Sequence, residues 1–269
     1  MSAKRWFWLY FTTTLLALVF LFPYLWMLFT AFKQEGYGLV FSLRVPYTLE
    51  NFRRVLFQFN FGRYFLNSLI IATASALFST LFASLAAYAF AKGRFPLRRT
   101  LFVVFLSSMM VPGLLYLVPQ FLIVYKLRWI NTYWGMIVPH LANVFGLFLL
   151  TQFIREIPDS LLEAARIDGA SEFRIFGWVI VPLALPIIAT VFLLNFQFHW
   201  ANFLWQLVVA QDQSMYTLPV GLAMFKGQHQ EAYTLEMAAA TLSVVPIAVL
   251  FVFAQRYFIE GITRGAIKG

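Results

Sequence analysis

Residues 156–174 read EIPDSLLEAARIDGASEFR, and this stretch holds five of the chain's eleven acidic residues. They are Glu156, Asp159, Glu163, Asp168 and Glu172. Long uncharged runs flank the stretch on both sides. Placing a carboxylate at the middle of a bilayer costs at least ~2.5 kcal/mol, so five of them cannot share one membrane span. The stretch is therefore predicted to lie in water between two transmembrane helices.

The same stretch predicts two short helices joined by a glycine. Ser160 followed three residues later by Glu163 is typical of a helix N-terminus. Ala164–Ala165 leave one face of this helix nearly without side chains, which allows another protein to approach closely. Gly169 can adopt the left-handed conformation that ends a helix, and Ser171 can cap the second helix. A helix of this kind at a membrane surface is a candidate contact element for a partner protein.

The composition indicates a membrane protein. Of the 269 residues, 61% are hydrophobic and 12% are charged, whereas soluble proteins carry roughly 25% charged residues. The net charge of +9 favours contact with anionic lipid head groups, and the pattern of a nucleic-acid-binding surface is missing from the sequence. The chain has no cysteine, which excludes disulfides and thiolate metal ligands.

Six uncharged runs are long enough to cross a bilayer, which predicts an all-α, polytopic membrane protein with six transmembrane helices. They lie between Arg5 and Lys33, within Tyr64–Ala91, at Thr100–Tyr125, at Thr132–Phe153, from Pro182–Pro186 to Leu204–Val208, and at Met237–Gln255. We expect a single transmembrane domain over residues 1–269 with its core at about 64–256. Segments outside the membrane are expected at residues 33–63, 156–182 and 211–236, the first with a short surface helix near Leu49–Phe57.

Two of the predicted spans carry local signals. The second has small residues at helical spacing, which let helix backbones approach closely. They are Ala72, Ala76, Ala83 and Ala87. The third span is interrupted by Val111-Pro112-Gly113, and a proline followed by glycine breaks the hydrogen-bond ladder of a helix.

The distribution of lysine and arginine predicts the orientation, because these residues are enriched on the cytoplasmic side of a membrane. With the charged stretch inside, twelve of the twenty basic residues are inside and the remaining eight are outside. The inner twelve are Lys4, Arg5, Lys92, Arg94, Arg98, Arg99, Arg155, Arg166, Arg174, Arg256, Arg264 and Lys268. This predicts cytoplasmic N- and C-termini, a cytoplasmic segment 156–182, and external segments 33–63 and 211–236.

The predicted spans contain no Asp, Glu, Lys or Arg. A carrier driven by protons or sodium ions usually keeps a buried carboxylate for the ion. The driving energy is therefore expected to enter elsewhere, and the cargo is expected to be uncharged, or at least not neutralised by this chain.

Four polar residues of the fifth predicted span follow the spacing i, i+4, i+7, i+11, which places them on one face of a helix. They are Asn195, His199, Asn202 and Gln206, with Trp200 among the aromatic residues beside them. Amides next to aromatic rings suit a neutral polyhydroxylated solute. Such a stripe can equally tie helices together through hydrogen bonds, and both interpretations stay open. The three histidines, His140, His199 and His229, show no metal-ligand spacing, so no metal site is expected.

The charged stretch resembles the EAA loop of ABC importer permeases, in which EAA is followed by three residues, Gly, nine residues and Ile-x-Leu-Pro. Here Glu163-Ala164-Ala165 is followed at the same spacing by Gly169 and by Val179-Ile180-Val181-Pro182, with valine in place of the usual Ile and Leu. The resemblance implies that residues 156–182, hereafter the EAA loop, are cytoplasmic and dock in a cleft of an ATPase subunit. The implied coupling residues are Glu163, Ala164, Ala165, Asp168, Gly169 and Pro182.

Three further segments resemble carbohydrate-uptake permeases of the maltose-transporter type. They are NFLW at 202–205, TLPVGL at 217–222, and the tail at 255–269. Gln206 departs from the family, since relatives often have proline there. The resemblance covers nearly the whole chain and implies a type I ABC importer permease fold, a mono- or oligosaccharide as cargo, and the inner membrane of a prokaryotic cell as location.

The resemblance also implies the partners of the chain. It implies an ABC ATPase dimer that binds ATP and Mg, a second and usually non-identical permease subunit, and an extracytoplasmic solute-binding protein that docks on residues 211–236. Membrane lipid surrounds the chain, and a nucleic-acid partner is not expected. The chain itself is then not an enzyme, with no catalytic residue and no cofactor of its own.

Three alternative functions are compatible with parts of this pattern. An ABC permease for another solute, such as glycerol phosphate, would share the EAA loop. A membrane-embedded enzyme is disfavoured because the His-Glu-x-x-His and Gly-x-Ser-x-Gly motifs are missing from the sequence. A passive channel is disfavoured because it would not need a docking helix.

Overall fold

A computed structural model describes residues 3–228 and 232–266, and within them the chain is built of helices. The helices are α1 (Ala3–Phe32), α2 (Glu50–Phe57), α3 (Phe61–Lys92), α4 (Arg98–Ser108), α5 (Leu117–Lys126), α6 (Tyr133–Ile137), α7 (Val144–Arg155), α8 (Asp159–Ile167), α9 (Glu172–Ile175), α10 (Val181–Trp200), α11 (Leu204–Val209), α12 (Leu218–Gln228) and α13 (Tyr233–Ala266). The β pairing in this part of the chain is an isolated bridge between Lys33 and Tyr47. The all-α prediction is confirmed.

The described helices provide four unbroken candidate spans and two bent ones. The unbroken spans are Arg5–Phe32, Phe61–Lys92, Glu172–Trp200 and Tyr233–Val252. The bent pairs are Arg98–Ser108 with Gly113–Lys126, at 93°, and Tyr133–His140 with Val144–Arg155, at 44°. The first bend lies at Pro112, where the sequence predicts a break. Each of the six predicted spans thus corresponds to one unbroken or bent span.

The chain forms two compact units. Among the described residues, the first contains those up to Phe65 and those within Leu218–Pro246, and the second contains Leu66–Thr217 and those from Ile247 onward. The single domain expected over residues 1–269 stays a prediction. In the first unit, α1 exposes most of its large apolar side chains, as a helix in contact with lipid does. The surface helix predicted near Leu49–Phe57 is present as α2.

A buried lysine fixes the segment after α1 in the first unit. Lys33 is fully buried, and its ammonium group donates a hydrogen bond to the carbonyl of Val40 at 2.7 Å. The same group lies 4.1 Å from the centre of the Trp26 ring, a cation–π contact. Burial lowers the pKa of Lys33 because it disfavours the charged form.

The core of the second unit joins α3 to the EAA loop. All four alanines that predict close packing of α3 (Ala72, Ala76, Ala83 and Ala87) are buried. Ala83 and Ala87 belong to an apolar cluster that also contains Ile157, Leu162 and Ile175 of the EAA loop. The loop is therefore anchored by its own apolar side chains on the end of α3.

The second helix of the EAA loop does not end before the fifth span, contrary to the prediction of a separate short helix. Glu172–Trp200 is one continuous helix, in which residues Phe176–Ile180 form a wider π-helical turn. Pro182 lacks an N–H group, and its ring would clash with a carbonyl one regular turn earlier. A wider turn before Pro182 accommodates the ring, so the proline is tolerated inside a continuous helix.

Candidate functional site

The first helix of the EAA loop begins and ends in well-defined backbone conformations. α8 begins at Asp159 with Pro158 as its N-cap residue, so the cap predicted at Ser160 is wrong by two residues. Proline fixes the backbone there, and Ser160 lies inside the first turn. At the other end, Gly169 has φ +79°. The amides of Gly169 and Ala170 donate to the carbonyls of Arg166 and Ala165 at 3.0 and 2.9 Å, the Schellman pattern that the glycine predicts.

The outward face of α8 combines small, acidic and apolar side chains. Leu162 is buried against the core and Ala165 packs beside it, whereas Glu163, Ala164 and Asp168 are exposed. Ile167 is also exposed on α8, with 86% of its surface accessible. Ala165 is thus only partly exposed beside Ala164, and the sequence analysis did not include Ile167. Its sequence signal is its position three residues after Ala164, which places both on the same face.

Two side chains of α3 hold the EAA loop through polar contacts that the sequence did not predict. The Lys92 ammonium donates to the carbonyls of Ile157 at 2.5 Å and Arg155 at 3.2 Å, and to the Asp159 carboxylate at 2.7 Å. The hydrogen bond and the charge of Lys92 lower the pKa of Asp159. One helical turn earlier, the Tyr88 hydroxyl donates to Glu172 at 2.5 Å.

The turn at Gly169 is bridged by an ion pair between the two helices of the loop. Nε of Arg166, near the end of α8, donates to the Glu172 carboxylate at 2.9 Å. This contact raises the pKa of Arg166. Glu172 therefore receives hydrogen bonds from both α3 and α8.

A cavity of about 1400 Å³ lies beside these contacts. Its walls come from the end of α3, the turn that leads into α4, and the EAA loop. They combine basic residues, acidic residues and apolar rings: Lys92, Arg94, Arg98, Arg155 and Arg166, then Asp159, Glu163 and Glu172, then Phe95, Phe173 and Phe176.

Asn195, the first candidate pathway residue, connects three helices. Its side-chain oxygen accepts a hydrogen bond from Asn143 at 2.5 Å, and its amide donates to the hydroxyl of Thr80 at 3.2 Å. Asn143 also caps α7, since its oxygen accepts from the amide of Gly146 at 2.8 Å. Asn195 is buried, so its present contacts are those of a residue that ties helices together.

The polar stripe does not lie on one continuous helix, which corrects that part of the sequence analysis. α10 ends at Trp200 and α11 begins at Leu204, so Asn202 lies in the break between them. The Asn202 side chain accepts a hydrogen bond from the amide of Trp205 at 3.3 Å. The asparagine side chain competes in this way with the backbone hydrogen bonds of a helix. The break was not predicted because no proline or glycine lies at it in the sequence.

His199, Trp200 and Gln206 are buried in the second unit around this break. The rings of His199 and His140 lie 5.7 Å apart, and Trp200 stacks on Phe196 at 5.6 Å. In the described part of the chain, the His199 Nδ1 atom and the Gln206 amide are buried without a hydrogen-bond partner. Buried polar groups are normally hydrogen-bonded, so these atoms have capacity for a further polar partner.

Within residues 3–228 and 232–266, no three metal-binding side chains lie together in a group that could hold a metal ion. His229, which the sequence analysis also considered, lies outside the described residues, as does the end of the tail at 267–269.

Replacing Asn195 with leucine is expected to lower the free energy of unfolding by about 1–2 kcal/mol, because two contacts between helices are lost. The thermal unfolding midpoint of the purified protein in detergent measures this loss. Gln197→Leu is the matched control, since Gln197 is exposed on the same helix. An unchanged midpoint combined with lost transport would instead assign Asn195 to the cargo pathway.

Comparison with known proteins places this geometry in a family. Residues 79–264 match the family model described as the binding-protein-dependent transport system inner membrane component. The chain is 34% identical over 261 residues to the arabinooligosaccharides transport system permease protein AraQ of Halalkalibacterium halodurans, covering 94% of this chain and 93% of that protein. It is 35% identical over 262 residues to the trehalose/maltose transport system permease protein MalG of Thermococcus litoralis, covering 95% and 94%.

A solved structure supports the same relationship. The crystal structure of a bacterial ABC transporter involved in the import of the acidic polysaccharide alginate contains a chain that matches this fold with a TM-score of 0.83 at 25% identity. The match covers 96% of this chain and 99% of that chain, and it confirms the predicted type I permease fold. The family consists of membrane components of transport systems that are not themselves enzymes. The chain therefore belongs to the binding-protein-dependent transport system inner membrane components, the multi-pass permease subunits of ABC importers.

Proposed function

We propose that this permease imports a sugar, a mono- or oligosaccharide, and that the EAA loop couples its movement to ATP hydrolysis by a partner. The observation that carries the coupling role is the exposed face of α8, where Glu163, Ala164 and Ile167 project from a helix that is anchored on its opposite side by Leu162. An exposed helix face on which an isoleucine lies beside a small alanine side chain is suited to insertion into a cleft of another protein.

The sugar cargo is supported by two independent observations. The relatives reported above are named for arabinooligosaccharides and for trehalose and maltose. In addition, the spans predicted from the sequence contain no charged residue that would neutralise a charged cargo. Hydrogen-bonding side chains and aromatic rings, which the polar cluster of α10 and α11 supplies, are the groups that bind neutral polyhydroxylated solutes.

The five candidate pathway residues are proposed to divide into two roles. His199 and Gln206 carry buried polar atoms with unused hydrogen-bonding capacity, and Asn202 is half-buried at the helix break. We assign these three, with Trp200 as the neighbouring aromatic ring, to the side of the pathway that this chain contributes. Asn195 holds α10 against the neighbouring helices. It affects the pathway by setting the distances between these helices.

The proposed assembly contains an ABC ATPase dimer that binds ATP and Mg, a second and usually non-identical permease, and an extracytoplasmic solute-binding protein. The N- and C-termini and the EAA loop face the cytoplasm, and residues 211–236 contact the binding protein. Glu163 contacts the ATPase cleft, Ala164 and Ala165 permit close approach, and Gly169 sets the turn between α8 and α9. Asp168 ends α8, and Pro182 lies where the loop enters the fifth span.

Co-purification tests this proposal. The tagged chain is expected to isolate an ATPase and a second permease from detergent extracts of the cell membrane. Ile167→Asp and Glu163→Lys are each expected to reduce the recovered ATPase about tenfold, because the first buries a charge in place of an apolar side chain and the second reverses a charge in the contact. Leu39→Asp is the matched control, since Leu39 is 80% exposed in the segment predicted to be external. Full ATPase recovery with both loop variants would refute the docking role.

A further inference from the structure

The end of α3 contacts the EAA loop at two separate points. Tyr88 and Lys92 are four residues apart and therefore lie on the same face of α3. Lys92 binds the start of the loop, at Ile157 and Asp159, and Tyr88 binds Glu172 beyond the Gly169 turn. The two contacts lie on opposite sides of α8 in the sequence, so the segment that contains α8 is held at both ends.

The contact at Lys92 uses all the donors of the side chain. An ammonium group has three N–H donors, and here they have two carbonyls and one carboxylate as acceptors. The Lys92 side chain is 7% exposed, so its charge is removed from water and depends on these partners. Hydrogen bonds with an ionised partner are short, strong and directional, which makes this a rigid connection.

The contact at Tyr88 fixes the geometry of the turn as well as its position. Glu172 accepts hydrogen bonds from Tyr88 and from Arg166, so one carboxylate connects α3, α8 and α9. The left-handed Gly169 lies between Arg166 and Glu172 in open space, since a methyl group added to it would meet no heavy atom within 4 Å. The angle between α8 and α9 is thus held by polar contacts and the Schellman hydrogen bonds.

The apolar contacts beneath the loop differ in kind from these two. Leu162 and Ile157 share the core cluster with Ala87 and Phe90 of α3. Such contacts hold the loop against α3 by burial and packing but have little directionality, so they do not alone fix the orientation of α8. The polar contacts are directional and add this constraint.

We propose that Tyr88 and Lys92 are positioning residues that make α3 move as one body with the EAA loop, so that force applied to α8 by the ATPase reaches the membrane through α3. This inference depends on the proposed coupling role of the loop. α3 is suited to the task because it is an uninterrupted helix of 32 residues, about 48 Å long at 1.5 Å per residue.

The test uses the assembled transporter in liposomes, with the ATPase, the second permease and the binding protein. In the double variant Tyr88→Phe/Lys92→Met, sugar uptake per ATP hydrolysed is expected to fall about tenfold, because the four hydrogen bonds that attach the loop and the residue before it to α3 are lost. Tyr88→Phe alone is expected to produce a smaller loss, and Lys92→Arg to retain part of the coupling. The matched control is Tyr125→Phe/Lys126→Met, which removes the same groups at the end of α5.

A second readout separates positioning from simple stability. The chain lacks cysteine, so spin labels can be placed at Arg174→Cys near the loop turn and at Leu77→Cys on α3. The distance between these labels is expected to stay constant between the nucleotide-free and ATP-bound states, and to change between them in the double variant. If the double variant does not assemble, Tyr88→Phe is judged by the same two measurements.

The outcomes distinguish this inference from the proposed function. An unchanged ratio of uptake to ATP hydrolysis, together with a constant label distance in the variants, would overturn the role of Tyr88 and Lys92 while leaving docking at α8 intact. Failure of the unmodified chain to bind any ATPase would instead overturn the proposed function.

Discussion

Replacing Gly169 with valine is expected to abolish most sugar uptake while the assembled transporter continues to hydrolyse ATP. Gly169 has φ +79°, a backbone conformation that costs an L-residue about 1–2 kcal/mol, and a β-branched side chain is among the least suited to it. No heavy atom lies within 4 Å of an added methyl group, so the substitution acts through the backbone and not through a clash.

The backbone strain of the valine variant at Gly169 can be relieved by a change of φ. Returning φ to negative values would break the hydrogen bonds from Gly169 and Ala170 to the carbonyls of Arg166 and Ala165, and would change the angle between α8 and α9. The Arg166–Glu172 ion pair and the Tyr88–Glu172 hydrogen bond resist this change, but the ion pair is about half exposed, so it does not hold the angle without the Schellman hydrogen bonds. When the angle between α8 and α9 changes, α8 meets the ATPase in the wrong orientation. ATP hydrolysis then no longer drives transport.

The measurement is uptake of labelled sugar per ATP hydrolysed in reconstituted liposomes, with an expected decrease of about tenfold or more. Gly36→Val is the matched control, because Gly36 has φ +91° and open space around it but lies outside the EAA loop. Gly169→Asn is expected to retain most coupling, since asparagine tolerates the left-handed conformation. Equal uptake per ATP in the valine variant and in the unmodified chain would remove Gly169 from the coupling mechanism.

Local signals in the sequence predicted the features that depend on a few neighbouring residues. The end of α8 at Gly169 follows from the conformational freedom of glycine, and the bend in the third span follows from the missing amide of Pro112. The six spans follow from the length of the uncharged runs, and the family follows from the spacing of Glu163, Gly169 and Pro182. Each of these signals lies within one continuous stretch of the sequence.

Features that depend on distant residues or on competing side chains could not be predicted. The Tyr88–Glu172 contact joins residues 84 positions apart, and no pattern in either segment indicates the other. The helix break at Asn202 arises because one asparagine side chain competes with the backbone, which it does at only some positions. The π-helical turn before Pro182 replaces the helix end that a proline usually indicates, because packing of Ile175 and Ile180 in the core favours continuation.

Replacing Gly135 with alanine is expected to destabilise the fold more than any of the other substitutions considered. An added methyl group would lie 2.3 Å from the carbonyl oxygen of Trp129 and 3.0 Å from a methyl group of Val124. The first of these neighbours is backbone, so it cannot move aside by a change of rotamer. The clash therefore has to be relieved by displacing α6 from the preceding turn.

Displacing α6 disturbs two hydrogen bonds in addition to the packing. The Gly135 amide donates to the side chain of Thr132 at 3.3 Å, which caps α6, and the Gly135 carbonyl accepts from the indole of Trp205 at 3.1 Å. Trp205 is buried, so its N–H would lose its partner away from water. The combined loss is expected to be about 3 kcal/mol, at the upper end of the range for overpacked sites.

The measurement is the thermal unfolding midpoint of the detergent-purified chain, with the yield of monodisperse protein as a second readout. Gly113→Ala provides the matched control, because an added methyl group there meets no atom within 4 Å and the glycine also belongs to a bent span. Its effect is expected to stay within about 0.5 kcal/mol, as for most surface substitutions. If Gly135→Ala unfolded at the same temperature as Gly113→Ala, α6 would have room to move, and the close approach of Gly135 to the Trp129 carbonyl would not be required for stability.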